Sequence, residues 1–184
     1  VTILQPRRGA GCGVGRRWQA ESTGTTAEAR QCRGTRSGCR AASRRSGDFA
    51  ARNCKLIGVS IDGVEEHLKW KGDVEKVAGT GMPFPILADG ELKVAKLYDM
   101  LPAEAYLPDG RTANDTATVR STFIIGPDKK IRLMLIYPMS VGRNFDEILR
   151  ALDAIRVTDG APLATPADWK PGERVIVGLA VSTE

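Results

Sequence analysis

Four cysteines, one histidine and an arginine-rich N-terminal stretch hold most of the reactive chemistry available to this chain. Cys12, Cys32, Cys39 and Cys54 are candidate nucleophiles or redox groups. A thiolate, not a thiol, does that work, so a useful cysteine needs a helix N-terminus or a cation beside it at neutral pH. The cysteines form no C-x-x-C pair, and the lone His67 is too few for the usual zinc patterns. No disulfide framework is indicated either, which makes a reducing, cytoplasmic setting the expectation. Cys54 heads an apolar run and is expected to be buried packing. His67 falls on a predicted helix, as an exposed or hydrogen-bonded residue rather than a general base. The run Gly9-Ala-Gly-Cys-Gly-Val-Gly15 fits neither GxGxxG nor GxxxxGK[ST], and no convincing strand precedes it.

The elements that must position these groups begin late. Residues 1–52 carry eleven Arg, no Lys and three acidic residues, a net of +8, while the remainder holds 16 basic and 19 acidic residues, a net of −3. Between residues 2 and 48 the only Val, Ile, Leu, Met or Phe side chains are Ile3, Leu4 and Val14. That is too little apolar surface to offset roughly 1–2 kcal/mol of backbone ordering per residue. Residues 5–47 are therefore expected to be disordered or poorly packed, with no helix after Cys32. The basic stretch has Trp18 as its single stacking residue, so nucleic acid is not the expected partner. No apolar run reaches the ~20 residues of a membrane helix, and no secretory leader pattern is present.

From Lys55 the pattern becomes regular. Lys55–Ile61 reads as a buried strand. Asp62, three residues before Glu65, predicts a capping box on a helix reaching about Ala78, with Val64, Leu68, Val74 and Ala78 on its inner face. Residues 82–88 read as a loop entering a second strand, and Asp89 as the cap of a helix carrying Leu92, Ala95 and Tyr98. Residues 101–118 form a long loop. Residues 121–125 and 131–137 are strands of a hairpin closed by Gly126–Lys130. Asn144 to about Arg156 is an amphipathic helix, with Asp146 and Glu147 near its positive end, and 174–177 is a short strand. This order, βαβα then a hairpin then α, predicts an α/β fold: a mixed sheet flanked by helices, of thioredoxin-like architecture.

Five blocks then carry a resemblance. FAARNCKLIGVSIDGVEEHLKW (49–70), MPFPILADGELKVAKLYDM (82–100), VRSTFIIGPDKKIRLMLIYP (119–138), GRNFDEILRALDAI (142–155) and TPADWKPGE (165–173) resemble the one-cysteine branch of the peroxiredoxin family, in order, over about residues 48–182. The resemblance implies a thiol peroxidase that reduces hydrogen peroxide and alkyl hydroperoxides through a cysteine sulfenic acid, an antioxidant in cell redox homeostasis. It also implies an external thiol reductant, a homodimer, and neither cofactor nor metal. Arg120 matches the family's active-site arginine, whose planar, permanently charged fork stabilises a thiolate and orients peroxide oxygens.

The match is expected to divide the chain into a disordered or non-homologous Arg/Gly-rich segment (1–47), a thioredoxin-like core (48–158) incomplete at its N-terminal part, and a small C-terminal peroxiredoxin subdomain (159–184), for which truncation is the expectation because the family normally continues past the position of Glu184. The family's nucleophile sits in a Pro-x-x-x-Thr-x-x-Cys loop about fourteen residues before the counterpart of Phe49, and Thr35 stands there. Cys32 has Ala29 and Thr25 at the motif's Thr and Pro positions, and Cys39 has Arg36 and Cys32. Cys32 is the preferred candidate over Cys39. An out-of-frame reading of a GC-rich gene accounts for the composition of 5–47. Two functions stay open: a thiol peroxidase, or a remnant lacking the motif that at most dimerises or binds partners.

Overall fold

The computed structural model describes residues 2–4, 33–79, 81–101 and 118–178. The Gly9–Gly15 run, Cys12, Cys32 and most of the long 101–118 loop lie outside the described residues. The chain divides into a unit of residues 1–143 and a unit of residues 144–184.

The first unit is built on a five-stranded sheet. In chain order its elements are β1 (Thr2–Leu4), α1 (Arg33–Arg44), α2 (Ser46–Ala51), β2 (Lys55–Ser60), α3 (Val64–Ala78), β3 (Ile86–Ala88), α4 (Lys93–Leu97), β4 (Arg120–Ile125) and β5 (Ile131–Tyr137). The strand order is β3-β2-β1-β4-β5. β2 and β3 are parallel and joined through α3, as a βαβ crossover requires. β4 and β5 form the expected antiparallel hairpin. Its turn is closed by the Gly126 N–H on the Lys130 carbonyl at 2.8 Å, with Lys129 at φ 65°. The three residues of β1 sit mid-sheet, antiparallel to β2 (Ile3 opposite Leu56) and parallel to β4 (Ile3 opposite Ile124).

Helix α1 departs from the expectation of a disordered, helix-free 5–47. It buries Gly38, Cys39, Ala42 and Ser43 on one face, and the helix is in contact with α3. Those positions recur at helical spacing, but their side chains are small instead of aliphatic. Burial therefore comes from close approach, not from a bulky stripe, and a search for large apolar residues passes over it.

α3 starts one residue later than its capping box predicted. Gly63 is the N-cap, without a side-chain cap bond, because the Asp62 carboxylate instead accepts the Ser60 hydroxyl at 2.7 Å. Its inner face passes through His67 and Val74, and Leu68 is 66% exposed. The helix ends on Gly79 at φ 69°, the left-handed position that favours glycine. Asp89 does cap α4: its two oxygens accept the N–H groups of Val94 at 3.0 Å and Ala95 at 2.7 Å. Behind α4, Ala95, Met100, Leu101, Phe123 and Ile125 form a buried cluster with Tyr98, whose ring meets Phe123 edge-on at 5.2 Å.

The second unit holds α5 (Phe145–Thr158) and a two-stranded sheet of β6 (Leu163–Ala164) and β7 (Ile176–Val177). Asn144 caps α5 by accepting the N–H groups of Asp146 and Glu147. Trp169, 2% exposed, donates its indole N–H to the Glu173 carbonyl at 3.1 Å, and Arg150 reaches the Trp169 carbonyl at 3.2 Å. No helix among the described residues is long and apolar enough to cross a membrane.

Candidate active site

Within the first unit, three elements bring a thiol and two guanidinium groups around one small cavity. Cys39 enters from the buried face of α1, and Arg120 is the first residue of β4. Arg143 comes from the segment after β5, and Gly58, Val59 and Met100 are among the other lining residues. The cavity is about 20 Å³, room for one water-sized group. None of its described lining residues carries a carboxylate.

Arg120 is held in place by the sheet and by the turn before it. It pairs with Tyr137 across the hairpin. Just upstream, the Val119 N–H donates to the Met100 carbonyl at 2.9 Å, and the Met100 N–H donates to the Ala95 carbonyl at 2.8 Å. The Asp89 cap, α4 and the start of β4 are thus connected by successive hydrogen bonds that end beside Arg120.

The electrostatics oppose one another. Burial pushes the Cys39 thiol above its ordinary range, and positive charge, that of Arg143 included, pulls it back without overcoming burial. Burial holds Arg143 below the usual arginine value; Cys39 counters this, the Arg120 charge adds to it, and Tyr137 counters it. The cations favour a negative group in the cavity, so a thiolate or a polarised oxygen there is stabilised.

Arg120 therefore stands in this cavity, while Cys32 lies outside the described residues. The thiol that shares the cavity is Cys39. Nothing in the sequence singles out Arg143, which lies in the GRNFDEILR block just ahead of the helix and matches no spacing of its own. Cys54 is buried as expected, at the head of β2 and away from both arginines, beside an apolar hollow with Phe84 and Pro85. His67 is buried too, only 7% exposed.

The AhpC/TSA family profile matches residues 26–134, more than half of the chain, and that of the C-terminal domain of 1-Cys peroxiredoxin matches residues 154–184. The chain belongs to the AhpC/TSA family, the peroxiredoxins. The match begins upstream of Phe49 and takes in all of α1. A 1-Cys peroxiredoxin of Dictyostelium discoideum is 43% identical over 137 residues, which cover 74% of this chain and 54% of that protein. Among solved structures, a cysteine-to-serine mutant of peroxiredoxin 6 from Arenicola marina matches with TM-score 0.74 and 34% identity, over 99% of this chain and 72% of that one. A yeast mitochondrial 1-Cys peroxiredoxin, solved to explain thiol resolution through glutathione/thioredoxin systems, matches with TM-score 0.71 and 34% identity, over 96% and 73%. The peroxiredoxin fold is thus the expected thioredoxin-like one. This chain spans about half the length of the curated relatives it matches.

Proposed function

We propose that this peroxiredoxin is a thiol peroxidase whose attacking group is Cys39, with Arg120 and Arg143 as its electrostatic partners. The supporting observation is that these three side chains line one cavity. The Cys39 thiolate attacks the terminal oxygen of hydrogen peroxide or an alkyl hydroperoxide. The S–O bond forms as the O–O bond breaks, and the departing oxygen takes a proton and leaves as water or alcohol. Sulfur is oxidised to the sulfenic acid while the peroxide is reduced. An external thiol then condenses with the sulfenic acid, releasing water, and a second thiol restores Cys39. The glutathione/thioredoxin systems of the yeast relative point to the class of that reductant.

The arginines act on charge. As the O–O bond lengthens, negative charge grows on the leaving oxygen, and fixed guanidinium donors meet it without reorganising. The same charge opposes the burial that keeps the thiol protonated.

Cys32 is the competing nucleophile, and replacing the two cysteines separately distinguishes them. Peroxide consumption with dithiothreitol or glutathione as reductant is expected to disappear in Cys39→Ser and persist in Cys32→Ser. Loss in Cys32→Ser with retention in Cys39→Ser reverses the assignment. Loss in neither overturns the peroxidase reading of both thiols.

A homodimer is supported by β5, an edge strand of the sheet that leaves Ile131, Met134 and Ile136 about half exposed. The free thiols of Cys39 and Cys54 suit a reducing compartment, and we take the cytoplasm as the assignment, with the mitochondrion of the yeast relative as the alternative.

A further inference from the structure

Arg143 reaches the cavity by lying across Gly38. A Cβ built on Gly38 would fall on Nη2 of Arg143, with Cζ at 3.0 Å and Nε at 3.4 Å. Any side chain at position 38 therefore occupies the space the guanidinium now fills. Gly38 lies within α1, where glycine is the least favoured residue after proline, so the backbone gives no local reason for it. Among the described residues Arg143 forms no hydrogen bond or ion pair, and its charge interacts with Cys39, Arg120 and Tyr137. With no hydrogen bond to the guanidinium among the described residues, the open space over Gly38 is what lets it rest there.

We infer that Gly38 is a positioning residue: by lacking a side chain it seats the Arg143 guanidinium in the Cys39 cavity. The neighbouring positions differ in role. Cys39 supplies the thiol and Gly38 supplies the room for the charge that acts on it. The guanidinium is the far end of a flexible side chain, so a methyl group at position 38 displaces it without disturbing the helix. The consequence for catalysis rests on Cys39 being the attacking thiol, but the seating itself does not.

The test is the pH profile of Cys39 alkylation by iodoacetamide, read on the Cys39 peptide by mass spectrometry in the full-length chain. Gly38→Ala is expected to raise the midpoint by about 1 pH unit, because an opposite charge lining the same cavity as a titrating group shifts its titration by about that much or more. The Cys39 alkylation rate at neutral pH then falls about tenfold, in proportion to thiolate. Arg143→Ala is expected to raise the midpoint by a similar amount, and adding Gly38→Ala to Arg143→Ala to change nothing further. An unmoved midpoint in Gly38→Ala, or an equal further shift in the Arg143→Ala background, overturns the inference. Should Gly38→Ala fail to fold, Arg143→Ala decides alone, since an unchanged midpoint there leaves no charge to be seated. Peroxide consumption that survives Cys39→Ser would sink the peroxidase assignment while leaving this alkylation result intact.

Discussion

Cys39 on α1 and Arg120 at the first position of β4 line the same small cavity, with Arg143 as a second cation in its wall. A buried thiol meets fixed positive charge there, and the balance between the two sets the chemistry.

Removing Arg120 removes one donor from the growing charge on the leaving oxygen. Arg120→Ala is expected to lower the second-order rate of peroxide reduction by about 10²-fold or more. Arg120→Lys keeps the charge but not the fork, and is expected to fall between the two. Stopped-flow oxidation by hydrogen peroxide measures this, and an unchanged rate in Arg120→Ala excludes the arginine from the reaction.

Because burial leaves the Cys39 thiol above its ordinary range, the protein at neutral pH is mostly protonated at this sulfur. Its oxidation rate is expected to climb about tenfold per pH unit from pH ~6 to pH ~8, following the thiolate fraction. A plateau that begins below pH ~7 would mean the arginines have prevailed over burial.

His67 gives the fold a pH dependence of its own. Burial holds its pKa below the ordinary value, partly offset by Asp62. The unfolded chain therefore binds the proton first, and its stabilisation is present above about pH 6.5 and lost as pH falls through the ordinary value toward the lowered one. The slope contributed is at most about 1.4 kcal/mol per pH unit. Urea unfolding at pH 7.5 and 5.5 is expected to show this loss, and His67→Gln to flatten it.

Asp89 ties stability to the site, because its carboxylate holds the two N–H groups that begin the route through Ala95 and Met100 to Val119. Asp89→Ala leaves a buried donor on Ala95 unmet and is expected to cost about 1–3 kcal/mol. Chemical denaturation measures the cost. The peroxidase rate is expected to fall with it, since Arg120 loses its anchor.

Much of this fold could be read in advance. The β4–β5 hairpin has a turn sequence between two apolar runs, α5 repeats large apolar residues behind an asparagine cap, and Asp89 precedes its helix in the usual way. The misreadings share a cause: each depends on tertiary contact. α1 buries glycine, cysteine, alanine and serine, so its inner face carries no aliphatic stripe. Asp62 was free to cap α3 by sequence but is taken by Ser60. Leu68 has the right spacing for a core residue, yet the face that α3 buries passes through His67 and Val74. Register against the family motif favours Cys32, which lies outside the described residues, and only packing shows that Cys39, on the buried face of α1, shares a cavity with the arginines.

The most direct measurement traps the first oxidation product. Full-length protein is treated with less than one equivalent of hydrogen peroxide in the presence of dimedone, and each cysteine peptide is mapped by mass spectrometry. The account predicts the adduct on Cys39, formed more slowly in Arg120→Ala. An adduct confined to Cys12, Cys32 or Cys54, or one on Cys39 that forms at the same rate without Arg120, would contradict it.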